Sequence, residues 1–240
     1  MSIDKMSTEK TDIEMTKWVK RINGSERFAY IRVNDGEIKC AMGKSGHNRS
    51  KHTFTRPLRM EIQKTLQMKP EPGLFMALGA IGARTTPQVN VMAPHWRDNW
   101  SDMEWLYVRI IDGTAWPFIE AIRKRNIILV GPGYFEDAFK DIAPISAFIK
   151  VPDRQCFDDH HRIVKKTLSL CTTGDLVLAS YSLPSVALGR EVWKHGAASF
   201  FDCGSIWEPI FKIGKTSHPR SWYRKMKCDP ADNLKPSLML

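Results

Sequence analysis

Short runs of β-forming residues alternate with helix-like segments along most of this chain. That alternation points to βα units and a largely parallel sheet covered on both faces. Six candidate strands read 28–33 (FAYIRV), 74–79 (LFMALG), 127–131 (IILVG), 146–151 (SAFIKV), 175–180 (DLVLAS) and 198–203 (ASFFDC). Helical patterning marks 12–22, 57–68, 101–111, 115–125, 158–171 and 184–195. Boundary signals accompany them: Ser101 with Glu104 has the form of a capping box, Asp158 is placed to cap the next helix, and Gly174 and Gly196 stand where helices end. The expected fold is α/β and Rossmann-like, a mainly parallel twisted sheet of about six strands with helices on both faces. At 240 residues the chain suffices for one sizeable core, read as a catalytic domain over 1–211 and a basic tail over 212–240 containing Pro219, Pro230 and Pro236.

No apolar run approaches the ~18 residues needed to span a bilayer, and the N-terminus is polar, so the expected location is cytoplasmic. Five cysteines (Cys40, Cys156, Cys171, Cys203, Cys228) are scattered without a Cys-x-x-Cys pair, which suits reduced structural thiols better than a zinc or redox site. The net charge of +10 is unevenly placed. Residues 39–69 carry eight Lys/Arg against Glu61 alone, and 212–240 carry seven against Asp229 and Asp232, leaving −2 for the remainder. Such clustering suits either a polyanionic partner or a solvated basic face.

The sharpest local feature is Arg32-Val33-Asn34-Asp35-Gly36-Glu37, directly after the first candidate strand. In open α/β sheets ligands bind beyond the carboxyl ends of strands, where this segment falls. A turn at Gly36 can bring the Asp35 and Glu37 carboxylates toward one divalent cation, and hard oxygen ligands suit Mg²⁺ or Mn²⁺. An ordinary Asp-Gly turn is the plainer reading.

FAYIRVNDGEIKCAMGK resembles the opening of the GT-D-fold glycosyltransferases, in which a strand ends in an Arg-aromatic-Gly-Asp-Gly-Glu motif. PDRQCFDDHHRIV resembles a later segment of that family, and LVLASYSLPSVALGREVWKHGAASFFDCGSIWEPIF resembles its closing unit, whose strand ends Asp-x-Gly; the likeness covers roughly 15–211. The resemblance implies inverting transfer from a nucleotide-sugar donor such as UDP-glucose, with Asp35 and Glu37 serving the metal and the diphosphate. Arg32, Asn34, Gly36 and Lys44 would lie on the donor side. Asn34 stands where the family has glycine, and Ser205 and Trp207 stand where polar or acidic residues, often a histidine, are expected. Asp202 and Glu208 are the carboxylates left at that strand end, with Glu208 the expected base.

The +7 segment suggests a polyanionic acceptor, read as a hydroxyl on a modified DNA base. Arg49, Lys51, Arg56 and Arg59 would track phosphates while His95, Trp96 and Arg97, in an aromatic loop ending at Trp100, hold the base. Other features are plainer. Asp158-Asp159-His160-His161 reads as a capped helix start with exposed histidines, because adjacent helical residues point ~100° apart and cannot share one ion. Gly131-Pro132-Gly133 reads as a tight strand exit, or as the cofactor turn of an S-adenosylmethionine-dependent transferase. Trp207, Trp222 and Tyr223 could stack bases. A non-catalytic nucleic-acid-binding protein would explain the charge but not the Asp-Gly-Glu segment.

Overall fold

The computed structural model describes residues 8–48, 52–79 and 87–210, together with Asp232. In chain order come α1 (Thr8–Asn23), β1 (Ala29–Val33), α2 (Asp35–Ala41), α3 (Arg56–Leu66), β2 (Leu74–Leu78), α4 (Pro87–Met92), β3 (Ser101–Asp102), α5 (Trp105–Ile111) and α6 (Trp116–Arg123). There follow β4 (Ile127–Pro132), α7 (Phe135–Ala138), β5 (Ile145–Val151), α8 (His160–Leu170), β6 (Leu176–Ala179), α9 (Ser185–His195), β7 (Ser199–Asp202) and α10 (Trp207–Ile210). The sheet has seven strands in the order β3-β2-β1-β7-β6-β4-β5, with every pairing parallel. The seventh is β3, a two-residue edge strand inside the stretch expected to be one helix over 101–111.

Strand periodicity sends alternate residues to opposite faces. On one face Ala29, Ile31, Val33 and Phe200 join Ile38, Leu58, Ile62, Ile163 and Leu188 from α2, α3, α8 and α9. On the other, Phe28, Tyr30 and Phe201 join Trp18 of α1, Ile110 of α5, Phe118 of α6 and Trp207 of α10. Trp18 packs edge-on to Tyr30 at 4.5 Å and to Phe75 at 5.1 Å, while Tyr30 stacks on Phe201 at 4.5 Å. Aromatic pairs of this kind add roughly 0.5–1.5 kcal/mol each beyond the area they bury. Gly189, mid-helix in α9, is required by close approach: a Cβ there would lie 2.6 Å from the Phe200 ring and 2.8 Å from Ile31. Arg190 of α9 pairs with the Glu61 carboxylate and donates to its carbonyl at 2.9 Å, holding α3 on the same layer.

Several boundary expectations are corrected. Ser101 lies in β3, so its pairing with Glu104 as a capping box does not form; instead Asp102 Oδ1 accepts from the Glu104 N–H at 2.7 Å. Asp158 falls within a 3-10 turn, Cys156–Asp159, and caps no helix. Gly174 shapes the turn into β6 after α8 has ended, whereas Gly196 does close α9, at φ 85°. No helix among the described residues is long and apolar enough to cross a membrane. The basic segment 212–240 lies outside the described residues except for Asp232.

His160, expected at the surface, is 3% exposed, while His161 is solvent-exposed. The His160 ring stacks on Phe157 at 5.0 Å and on Tyr181 at 6.0 Å, and burial pushes the imidazole down to about 4. As pH falls, the unfolded chain takes up the proton near the ordinary value of 6.5, and the folded chain does so only near 4. Stability is therefore full above that upper value and declines through the window, by up to about 3 kcal/mol. His160→Phe is expected to flatten the decline in urea midpoint between pH 7 and pH 5. A parallel decline in variant and wild type would assign the acid sensitivity to other groups, such as His52, whose buried imidazole is also lowered.

Candidate active site

The carboxyl ends of β1 and β7 lie side by side at the centre of the sheet. From there the chain leaves in different directions: β1 feeds α2 and α3 on one face, and β7 feeds α10 on the other. Strand ends that diverge in this way leave a crevice.

Asn34 directly follows β1 and is the N-cap of α2. Its Oδ1 accepts from the Asp35 N–H at 2.9 Å, and Glu37 Oε2 accepts from the Asn34 N–H at 2.9 Å, completing a capping box. The segment read as a turn is thus a helix start, and its signal was legible as Asn-x-x-Glu. This geometry separates the two carboxylates. Asp35 points outward, 69% exposed, and pairs with Lys39 Nζ at 2.7 Å. Glu37 turns inward, where burial first, and the charge of Asp202 in addition, push its carboxyl up to about 7. Among the described residues no group of three or more His, Cys, Asp or Glu side chains is arranged to hold a metal by itself.

Asp202 ends β7 and is 4% exposed. Burial raises its carboxyl, opposed by the Arg32 charge and by the Gly204 N–H, which donates to Oδ1 at 2.9 Å. Arg32 projects from β1 between these groups and α5. Burial works against its charge, but Tyr107 and Asp202 outweigh that and keep it protonated. Arg32 Nη2 donates to Tyr107 Oη at 3.0 Å, and Tyr107 Oη lies 3.3 Å from Ser205 Oγ. Gly204, at φ 56°, accommodates the guanidinium: a Cβ there would sit 1.6 Å from Arg32 Nη1. The crevice formed by Arg32, Met103, Leu106, Tyr107, Asp202 and Ile206 is too tight to admit a water molecule.

The other expected site residues divide into groups. Gly36 packs against Leu183 and Asn48, and Lys44 is exposed beyond α2. Arg56 is exposed on the first turn of α3, and Arg59 is part-buried against Gly43. Arg49 and Lys51 lie outside the described residues, as do Trp222 and Tyr223. Glu208 is part-buried on α10, beyond the end of β7, while its neighbour Trp207 belongs to the core. Trp96 cannot stack on a base. It is 1% exposed and its Nε1 donates to the Met68 carbonyl at 2.7 Å, so the indole is core. This contact places exposed His95 and Arg97 near the end of α3 and the approach to β2, away from the carboxyl edge. At Gly131 a Cβ would lie 2.9 Å from the Phe135 ring, so this glycine serves close packing, whereas at Gly133 it would meet only the end of the Lys150 side chain, which can move aside. Tyr107 escaped notice because reading 101–111 as one helix hid where α5 begins.

If Glu37 is needed in this turn as a cap, glutamine can replace it, since an amide oxygen accepts the same hydrogen bond. Glu37→Gln is expected to melt at or above the wild-type temperature, with a buried charge removed. Glu37→Ala should lose ~1 kcal/mol, or roughly 2–4 °C by calorimetry. A glutamine variant that melts as low as the alanine one would show that the charge itself holds the turn.

Three solved structures resemble this fold. One of domain of unknown function 1792, described as having a distinct glycosyltransferase fold, aligns with TM-score 0.56 and 17% identity over 81% of this chain and 76% of that one. A selenomethionine-substituted structure of that domain gives 0.56 and 18%, with the same coverage. A protein described as a new glycosyltransferase (DUF1792) from Streptococcus sanguinis gives 0.61 and 15% over 95% of this chain and 92% of that one. No family model and no curated protein matches the sequence. In its parallel sheet and surrounding helices, the chain has the glycosyltransferase fold of the DUF1792 domains, in keeping with its GT-D-like sequence motifs.

Proposed function

We propose that this chain is a glycosyltransferase that moves a sugar from a nucleotide-sugar donor, a UDP-sugar in the first instance, to a hydroxyl acceptor with inversion. The observation that carries this reading is a guanidinium, Arg32, within electrostatic range of two carboxylates, Glu37 and Asp202, at the carboxyl edge of this fold. Breaking the donor's sugar–phosphate bond leaves charge on a nucleoside diphosphate, which a fixed cation at this edge can stabilise. Arg32, Asn34, Gly36 and Lys44 form the proposed donor side. Inversion also needs a group to accept the acceptor's hydroxyl proton. Asp202, whose carboxyl is already raised, suits that task, and Glu208 is the second choice.

A Mg²⁺ or Mn²⁺ ion fits this edge only as a partner of the donor. Asp35 offers an exposed hard-oxygen ligand once Lys39 gives way, and such ions commonly take one or two carboxylates and complete their shell with phosphate oxygens and water. Glu37 would stand behind it as the cap of the same helix. When bound, the ion would neutralise charge on the leaving diphosphate. Asp35→Ala, or EDTA added to wild type, is expected to lower sugar transfer from UDP-sugars at least ~100-fold with the circular dichroism spectrum unchanged. Full turnover in EDTA would remove the cation from the mechanism.

For the acceptor we propose DNA. Support comes from Lys44, Arg56 and Arg59, which stand on the α2–α3 layer in the segment of highest positive charge. Arg56→Ala with Arg59→Ala should reduce the salt dependence of DNA binding by ~0.9 in log K against log salt for every phosphate the protein no longer neutralises. No DNA binding at ~50 mM salt would favour a glycan or small-molecule acceptor.

A further inference from the structure

Arg32 presents a problem that its neighbours do not solve. Nη2 is satisfied by Tyr107, yet Nε and Nη1 are buried and have no hydrogen-bond partner among the described residues. No ion pair within 4.0 Å joins the guanidinium to a described carboxylate, although Asp202 acts on it at longer range. Buried N–H groups left unmet are destabilising, and a buried charge without a close counterion is more so. The surroundings nonetheless fit this arginine closely. Gly204 leaves the space that Nη1 occupies, and Tyr107 is itself met by Ser205 from the β7–α10 turn.

We infer that Arg32, Tyr107 and Ser205 form a latch that holds an anion site shut, and that a diphosphate opens it by taking the guanidinium from the Tyr107 hydroxyl. The planar fork of arginine matches two phosphate oxygens, and both of its bidentate edges, Nε with Nη2 and Nη1 with Nη2, include the nitrogen that Tyr107 holds, so release of Nη2 completes a grip that a point charge cannot reproduce. Tyr107 is a positioning residue here. It occupies one nitrogen and, through Ser205, ties α5 to the β7–α10 turn across the crevice. The diphosphate therefore enters only as those two segments part. This deepens the nucleotide-sugar reading and rests on it for the identity of the ligand.

Titration calorimetry with inorganic pyrophosphate, in EDTA, tests the latch apart from any metal. Wild type should bind; Arg32→Lys should weaken binding at least 10-fold; Tyr107→Phe should strengthen it 3-fold or more, because the competing hydroxyl is gone. Ser205→Ala, which loosens the same tie without touching the guanidinium, should move affinity in the same direction as Tyr107→Phe and stands in if Arg32→Lys fails to fold. A purely structural tyrosine would instead give weaker binding and a lower melting temperature on loss of its hydroxyl. Pyrophosphate binding that is unchanged in Arg32→Lys, or weakened in both Tyr107→Phe and Ser205→Ala, overturns the latch and leaves glycosyl transfer standing. The expected binding pattern without transfer from any UDP-sugar would support the latch and sink the glycosyltransferase reading.

Discussion

A parallel sheet covered on both sides has no face that can be polar, so each inner strand must be apolar in two directions until its end, a demand that the edge strand β5, with exposed Ser146 and Lys150, escapes. That constraint decides where this molecule can keep its chemistry. Tyr30 and Phe201 stack within one layer, while Ile31 and Phe200 meet α9 in the other at a distance only Gly189 permits. Polar side chains return where those runs stop, at Arg32 near the end of β1 and Asp202 at the end of β7. Because the two strands are adjacent and parallel, the groups emerge at the same edge. The site is a by-product of burying everything beneath it.

Much of that frame was legible in the sequence. Long apolar runs such as IILV and the helical period of 184–195 carry strong signals because burial enforces them over many residues. Smaller elements did not. β3 has two residues, too few for any period, and exists because β2 offers a partner. The helix start at Asn34 carried two conflicting signals, an Asp-Gly turn and an Asn-x-x-Glu cap, and only tertiary packing against Leu183 and the sheet decides between them. Trp96 and His160 failed for a common reason: each is amphipathic, and local sequence does not reveal that a distant carbonyl or ring awaits it.

The placement of the candidate residues was legible in the sequence, and their surroundings were less so. Asp35, Glu37 and Asp202 do gather at one edge, but with three different environments: solvent and a lysine for the first, a backbone N–H for the second, burial beside an arginine for the third. Spacing along the chain could place them together and could not distinguish them. The partner of Arg32, Tyr107, lies 75 residues away in sequence, and no pattern links the two.

Among the described residues β7 is the last strand in sequence and one of the innermost in the sheet, between β1 and β6. During synthesis, β1–β3 and then β4–β6 leave the ribosome as two partial sheets, each ending in an unpaired edge where β7 will lie. Those edges stay open until Phe200 and Phe201 arrive to join them, and pairings so distant in sequence form slowly. The same segment carries Asp202, Gly204 and Ser205. The surroundings of Arg32 are therefore completed after the partial sheets on either side of them, and a nascent chain has the scaffold well before it has the site.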